Sequence, residues 1–268
     1  MKITTLLPAA GLVLLQLLTL PTVPAADPKP TAGAKPQVAI PPDDANPSAV
    51  IVSLQGKCDY SLDGLTFTPL TSHDVFTLSG SGRSGETTKS PLVLHQGTVV
   101  RAGKDSRIDI FFRRIGTTVR LQPDTEVKFE TVSRSPNSGV STMETVLELR
   151  SGRIFTVVRS VVSGSVFAIR NAAGRSVVEG APAGTMDRYI ITADGTQVAE
   201  KSSQFPLKLI GEKGITVIAP GQKFDAKEGK LLPVAMPESV AILIEFDELH
   251  ALMETTLPRG ATPPQTSK

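Results

Sequence analysis

The stretch from Val146 to Phe224 most limits what this chain can become. It reads VLELRSGRIFTVV, GSVFAIRNAAGRSVVEG, DRYIITADGTQVAE and GITVIAPGQKF in turn. Short runs of Val, Ile, Phe and Leu are broken every eight to twelve residues by Gly, Asn, Asp or Pro. Such spacing is that of short strands joined by tight turns, and it points to a sandwich, barrel or roll. Asp194-Gly195 is its sharpest signal, because a two-residue type I′ turn needs positive φ at both central positions and Asp and Gly tolerate it. The expectation is an antiparallel hairpin in which Tyr189–Thr192 pairs with Thr196–Ala199.

The rest of the chain extends the same pattern. Ala49–Leu54 is a strand candidate closed by Gly56, and Cys58–Leu70 alternates around a second hairpin signal, Asp63-Gly64. In RIDIFFRR, Ile108, Ile110 and Phe112 share one face, while Asp109, Phe111 and Arg113 share the other. Further strands are expected at Thr117–Leu121 and Val127–Thr131, with exposed loops at Ser79–Lys89 and Pro136–Gly139. The expected core includes Ile108, Ile110, Phe112, Leu147, Leu149, Phe167, Ile169, Ile191 and Val217. After Pro237, Ile242, Phe246, Leu249 and Met253 recur at helical spacing, with Ser239 as the candidate cap. A strand at Ala241–Phe246 is the competing assignment there. The fold class is therefore all-β: a two-layer sandwich or roll of many short, mostly antiparallel strands with one C-terminal helix.

Both ends differ from this body. Residues 1–25 carry Lys2, an apolar run and a small-residue ending at Val23-Pro24-Ala25, the pattern of a cleaved export signal. Residues 26–47 hold six of the 21 prolines and cannot bury enough apolar area to fold alone, so a disordered linker is expected. The β domain is assigned to residues 48–236, the helix to 237–258 and a loose tail to 259–268. The expected location is periplasmic or otherwise extracytoplasmic, with no membrane span after signal removal.

Composition and motifs narrow the function. A net charge of +2, from 28 basic and 26 acidic residues, gives no footprint for nucleic acid. One cysteine, Cys58, rules out an intrachain disulfide framework, and its place in a strand pattern points to a buried thiol. Neither Cys58 nor the scattered His73, His95 and His250 shows metal-site spacing. No nucleophile elbow, phosphate loop or His-Glu-x-x-His motif occurs. Asp109, Glu126, Glu130 and Glu148 alternate with apolar neighbours, as solvent-facing positions of half-buried strands do. Arg101, Arg107, Arg113, Arg114 and Arg120 fall in one twenty-residue span, which reads as a solvated sheet face or, alternatively, a patch for an anionic polymer. No catalytic, cofactor-binding or metal residue is assigned, and the binding residues are unknown at this level.

A family resemblance enters on the order of the motifs. Ala102-Gly103, Asp105-Ser106, Gly116 and Pro123-Asp124-Thr125 occupy the turn positions of the first half of a FecR-like domain. Leu149, Ser151, Gly152 and Arg153 resemble its Leu-x-Gly-Arg segment, Gly174 and Gly180 its next strand pair, and Pro220-Gly221-Gln222 its ending. The chain resembles that family from about Ala49 to Ala235. It departs where Ala181–Gly184 precedes Thr185, where Phe67 stands in the place often held by Trp, and in the Ser79–Lys89 loop.

The resemblance implies a non-catalytic, extracytoplasmic β domain without cofactors. Founding members of the family relay a signal to a sigma factor through an internal membrane helix. The only apolar run here starts six residues from Met1, so direct sigma-factor contact is not expected. The expected role is an exported module for scaffolding, sensing or signalling that binds a protein partner or a cell-envelope polymer. The alternative is an envelope polysaccharide-active enzyme whose carboxylate pair, about 5–9 Å apart, is not recognisable from sequence.

Overall fold

In the computed structural model the described residues are 49–76, 92–112, 115–137, 140–159, 161, 164–179 and 185–256. The signal, linker and tail assignments, the Ser79–Lys89 loop, Arg113, Arg114 and Gly180–Gly184 lie outside them. Seventeen strands and one α-helix follow in order among the described residues. They are β1 (Ala49–Gln55), β2 (Cys58–Ser61), β3 (Thr68–Pro69), β4 (Val99–Ala102), β5 (Arg107–Phe112), β6 (Thr117–Leu121), β7 (Thr125–Asn137), β8 (Val140–Ser151) and β9 (Arg153–Val158). Then come β10 (Val166–Asn171), β11 (Gly174–Glu179), β12 (Asp187–Thr192), β13 (Gln197–Ala199), β14 (Leu207–Gly211), β15 (Gly214–Ile218), β16 (Gln222–Asp225), β17 (Lys230–Pro233) and α1 (Met236–Thr256).

These strands form two sheets. One has eight strands in the order β1-β5-β6-β9-β12-β13-β16-β17; the other has nine, in the order β15-β14-β11-β10-β8-β7-β4-β2-β3. Described strand pairs are antiparallel except β8 with β10. The all-β expectation with one C-terminal helix therefore holds. Period-two alternation sends one set of side chains from each sheet into a shared interior. Phe112 of the eight-stranded sheet meets Phe129 and Phe167 of the nine-stranded sheet, with ring centroids 5.8 and 5.7 Å apart. Ile108, Ile110, Leu147, Leu149, Ile169 and Ile191 join them as expected.

Val217 does not, and the core assignment is corrected there: it is 48% exposed while its neighbour Ile218 is fully buried. In Ile215-Thr-Val-Ile218 the apolar residues fall on both faces, and only the pairing of β15 with β14 decides which face turns inward. The expected loop at Pro136–Gly139 is corrected in its described part, because Pro136 and Asn137 pair with Ser141 and Val140 in the long β7–β8 ribbon, while Ser138 and Gly139 lie outside the described residues.

The Asp194-Gly195 hairpin forms in the expected register, Tyr189 opposite Ala199 and Ile191 opposite Gln197. Its turn is a different one. Gly195 has φ of 98°, but Asp194 does not have positive φ, and the Gly195 amide donates to the Thr192 carbonyl at 3.1 Å. This is a type I turn followed by a left-handed glycine, the three-residue hairpin connection. Asp194 stabilises it by accepting from the Thr196 amide and the Thr192 hydroxyl.

The outer face of the nine-stranded sheet is a ladder of ion pairs. Arg101–Glu126, Glu126–Arg150, Arg150–Glu148 and Arg170–Glu130 lie at 2.6, 3.1, 3.2 and 2.9 Å, and Arg101 also sits over the Phe67 ring at 3.5 Å. Glu126, Glu130 and Glu148 thus face outward as expected, each in an ion pair with an arginine. Helix α1 covers the outer face of the eight-stranded sheet, so a third layer stands on part of the sandwich. Its first intrahelical bond runs from the Ser239 amide to the Ala235 carbonyl. Ser239 is therefore inside the first turn, and the capping assignment is corrected. Pro237 also stands in that turn, where its missing donor costs nothing.

Candidate functional site

The helix faces the sheet with two kinds of residue. Ile242, Phe246, Leu249 and Met253 are buried against Phe155, Val157, Ile190 and Val198. The Phe246 and Phe155 rings meet edge to face at 5.2 Å. Burial of such side chains contributes about 1.5–3 kcal/mol each. The second kind is acidic. Glu238, Glu245, Asp247 and Glu248 reach Lys223, Arg120, Arg188 and Arg107 of the sheet, at 3.3, 3.3, 3.5 and 3.1 Å respectively.

Arg120 is the centre of this seam. Its Nε and Nη2 donate to the two carboxylate oxygens of Asp109, at 2.7 and 3.3 Å. Its Nη1 donates to the Glu245 carbonyl and carboxylate, both at 3.3 Å, and to Glu248 at 3.4 Å. Gln122 donates to the same Glu245 carboxylate at 3.2 Å. Burial by itself would lower the Arg120 pKa, but the Asp109 hydrogen bond and the charges of Asp109 and Glu245 outweigh it and hold the guanidinium charged.

Two sequence expectations are overturned at this point. Asp109 and Arg120 were expected to face solvent, yet they are 0% and 2% exposed. Alternation places both on the outer face, and the helix then covers that face. The five-arginine span is also no single patch. Arg101 belongs to the nine-stranded sheet, while Arg107 and Arg120 lie in the eight-stranded one beneath acidic helix residues. The carboxylates that occupy these guanidinium groups remove the basis for an anionic-polymer site there.

Two open clefts flank α1, with volumes of about 320 and 390 Å³. The smaller is lined by Glu200, Lys201, Pro220, Val234 and Met236; the larger by Arg153, Lys223, Asp194, Glu238 and Glu245. Ile242 and Val198 contribute to both. On the solvent side of the helix, Met236, Val240 and Ile244 are 78%, 53% and 59% exposed. Spaced four residues apart, they form one apolar stripe running between the clefts.

The remaining titratable groups lie apart from this region. Cys58 is buried, with its thiol pKa pushed up by that burial, and its Sγ lies 3.5 Å from the Gln55 carbonyl oxygen. His73 is exposed in a 3-10 turn at Ser72–Asp74, and His95 and His250 are half-buried. No group of three or more His, Cys, Asp or Glu side chains suited to a metal ion occurs among the described residues. Nor is any described helix long and apolar enough to cross a membrane. Asp187 is fully buried, its pKa raised by burial, and it spends one oxygen on the Gln204 and Phe205 amides. No protein-family model, curated protein or solved structure matches the chain.

Proposed function

We propose that the chain is an exported, non-catalytic β module that binds a protein partner through the outer surface of α1. One observation carries this reading: the Met236, Val240 and Ile244 stripe lies open to solvent between two clefts on a helix whose other face is already anchored. Glu238, Glu245 and the exposed Asp247 and Glu248 rim it, and the helix has no lysine or arginine. The complementary partner surface is apolar. The resemblance to FecR-like domains and the export pattern of residues 1–25 support a binding role outside the cytoplasm. A role in sensing or signalling belongs to the same proposal.

The test compares capture from native envelope by the mature domain and by Val240→Asp and Ile244→Asp. Both positions are exposed, so the fold tolerates the change. Loss of the same captured protein in both variants supports the reading. Capture that is equal in all three sinks it.

A second reading, polysaccharide hydrolysis, draws on the larger cleft, where Asp194 lies among Glu238 and Glu245. A glycosidase acid needs a raised pKa. The Thr192 hydroxyl and Thr196 amide instead hold the Asp194 carboxyl below its usual range, which suits a base or nucleophile and not the acid. Turnover of an envelope glycan that disappears with Asp194→Asn and Glu245→Gln would reverse the order of the two.

A further inference from the structure

A β-sheet edge exposes unpaired backbone donors and acceptors, and proteins protect such edges with charge, proline, bulges or covering segments. Among the described residues, three of the four sheet edges are protected. Beyond β1, Val50 and Ile51 bridge to Val93 and Val75, and the amides of Leu94 and Phe76 donate to Ala49 and Ile51. β3 is two residues long and ends on Pro69. β17 carries Lys230 at one end and Pro233 at the other. The fourth edge, β15, reads GITVI, with neither charge nor proline.

The register of β15 shows which of its backbone groups have no partner among the described residues. A two-residue turn, Glu212-Lys213, joins β14 to β15, so the closing pair Gly211–Gly214 is hydrogen-bonded. Alternation then makes Leu209–Thr216 and Leu207–Ile218 the next bonded pairs. Ile215 and Val217 are left with amide and carbonyl turned outward. Their side chains are 66% and 48% exposed, and Ile210, opposite Ile215, is 44% exposed.

We infer that β15 is a homodimerisation edge, at which a second copy of this chain pairs antiparallel about a two-fold axis through Thr216. That centring sets Ile215 of each copy opposite Val217 of the other. Both residues offer outward amide and carbonyl groups, so the two pairs close four hydrogen bonds. Shifting the axis to Ile215 or Val217 leaves only one such pair formed from outward-facing β15 groups. The same centring joins Ile210, Ile215 and Val217 into one apolar cluster across the junction. The two nine-stranded sheets become one continuous sheet, while the α1 surface of each copy stays open.

Sedimentation of the full chain over a wide concentration range tests this. The expected result is a reversible monomer–dimer equilibrium. Val217→Lys and Val217→Pro should raise the dissociation constant about tenfold or more. Because the Val217 amide points away from β14, neither change breaks the hairpin, and the thermal midpoint of the monomer should hold. Thr216→Cys reports the register, since directly opposed non-hydrogen-bonded residues lie at disulfide distance. With copper-phenanthroline as oxidant, two such thiols give one disulfide and two protons, and a covalent dimer should form faster than from Lys230→Cys on the β17 edge. Three results would overturn the inference: a chain monomeric at all concentrations, a dimer indifferent to both Val217 variants, or Thr216→Cys linking no faster than Lys230→Cys.

Discussion

Arg120 and Asp109 stand directly opposite each other on adjacent strands and share two hydrogen bonds, at 2.7 and 3.3 Å. The helix that seals them from water contributes Glu245, 125 residues further along the chain. A buried ion pair is weak evidence of net stability, but removing one partner of such a pair costs about 3–5 kcal/mol, and Glu245 and Glu248, at 3.3 and 3.4 Å, replace only part of what Asp109 gives Arg120. Asp109→Ala should therefore lower the denaturation midpoint strongly. Replacing both, as Asp109→Leu with Arg120→Met, should cost less than Asp109→Ala, because the half-exposed Glu245 and Glu248 can turn to water. Urea melts of the three proteins decide it. A midpoint for Asp109→Ala equal to that of the wild type would mean that water reaches the pair.

Gly195→Val should destabilise the fold on two counts. The φ of 98° at Gly195 is strained for a β-branched residue, at about 1–3 kcal/mol. A Cβ there would also lie 2.5 Å from the Ala173 Cβ and 3.2 Å from that of Ala226. Both neighbours belong to other turns, so the strain spreads through the end of the sandwich. Asp194→Asn keeps an oxygen for the Thr196 amide and should melt close to wild type. Thermal melts check the pair; equal midpoints for Gly195→Val and wild type would mean a slack loop.

These two positions differ in how much the sequence discloses. A hairpin signal is local: Asp-Gly between two apolar runs fixes the pairing, even though the turn proves to be a type I turn with a left-handed glycine. Burial of Asp109 is not local. Alternation along β5 shows that Asp109 and Phe111 share a face, but a helix from the far end of the chain decides whether that face is wet. The amphipathic spacing of Ile242, Phe246, Leu249 and Met253 marks that helix as docked, without naming the surface that receives it. The outward stripe of Met236, Val240 and Ile244 was missed for a related reason. Apolar residues occur all round α1, so its hydrophobic pattern alone does not separate the anchored face from the open one.

Asp187 gives a pH dependence of a defined sign. Burial raises its pKa in the folded chain above the unfolded value of about 3.9. The native state then holds a proton that the unfolded state has released, and stability falls as pH rises across that interval. The contribution is fully present below the unfolded pKa and lost as pH passes through the folded one. Asp187→Asn should remove this slope while its amide oxygen keeps the Gln204 and Phe205 amides. Asp63 has the opposite sign. The Thr66 and Leu65 amides and the Ser61 hydroxyl pull its carboxyl down to about 2, so its contribution is lost as pH falls towards that value. Melts of wild type, Asp187→Asn and Asp63→Asn from about pH 2 to 7 separate the two. An Asp187→Asn profile parallel to that of wild type would contradict the assignment.

Phe246 tests whether the helix and the sandwich fail together. It is fully buried, packs edge to face on Phe155 and lies under the Arg188 guanidinium at 5.8 Å. Removing such a ring costs about 3–5 kcal/mol where the cavity does not collapse. The apolar cluster it anchors is separate from the sandwich interior built around Phe112, Phe129 and Phe167. The cost should therefore fall on the docking of α1 rather than on the pairing of β8 with β10, deep in the opposite sheet. In Phe246→Ala, amide exchange should accelerate along Met236–Thr256 while amides of Phe167, Ala168 and Ile169 stay protected. The ion pairs from Glu238, Glu245 and Glu248 alone should not hold the helix, since they are partly exposed and screened by salt. Raising the salt concentration should accordingly accelerate helix exchange more in Phe246→Ala than in wild type. Equal acceleration in helix and strands would instead show one cooperative unit, with the third layer integral to the sandwich.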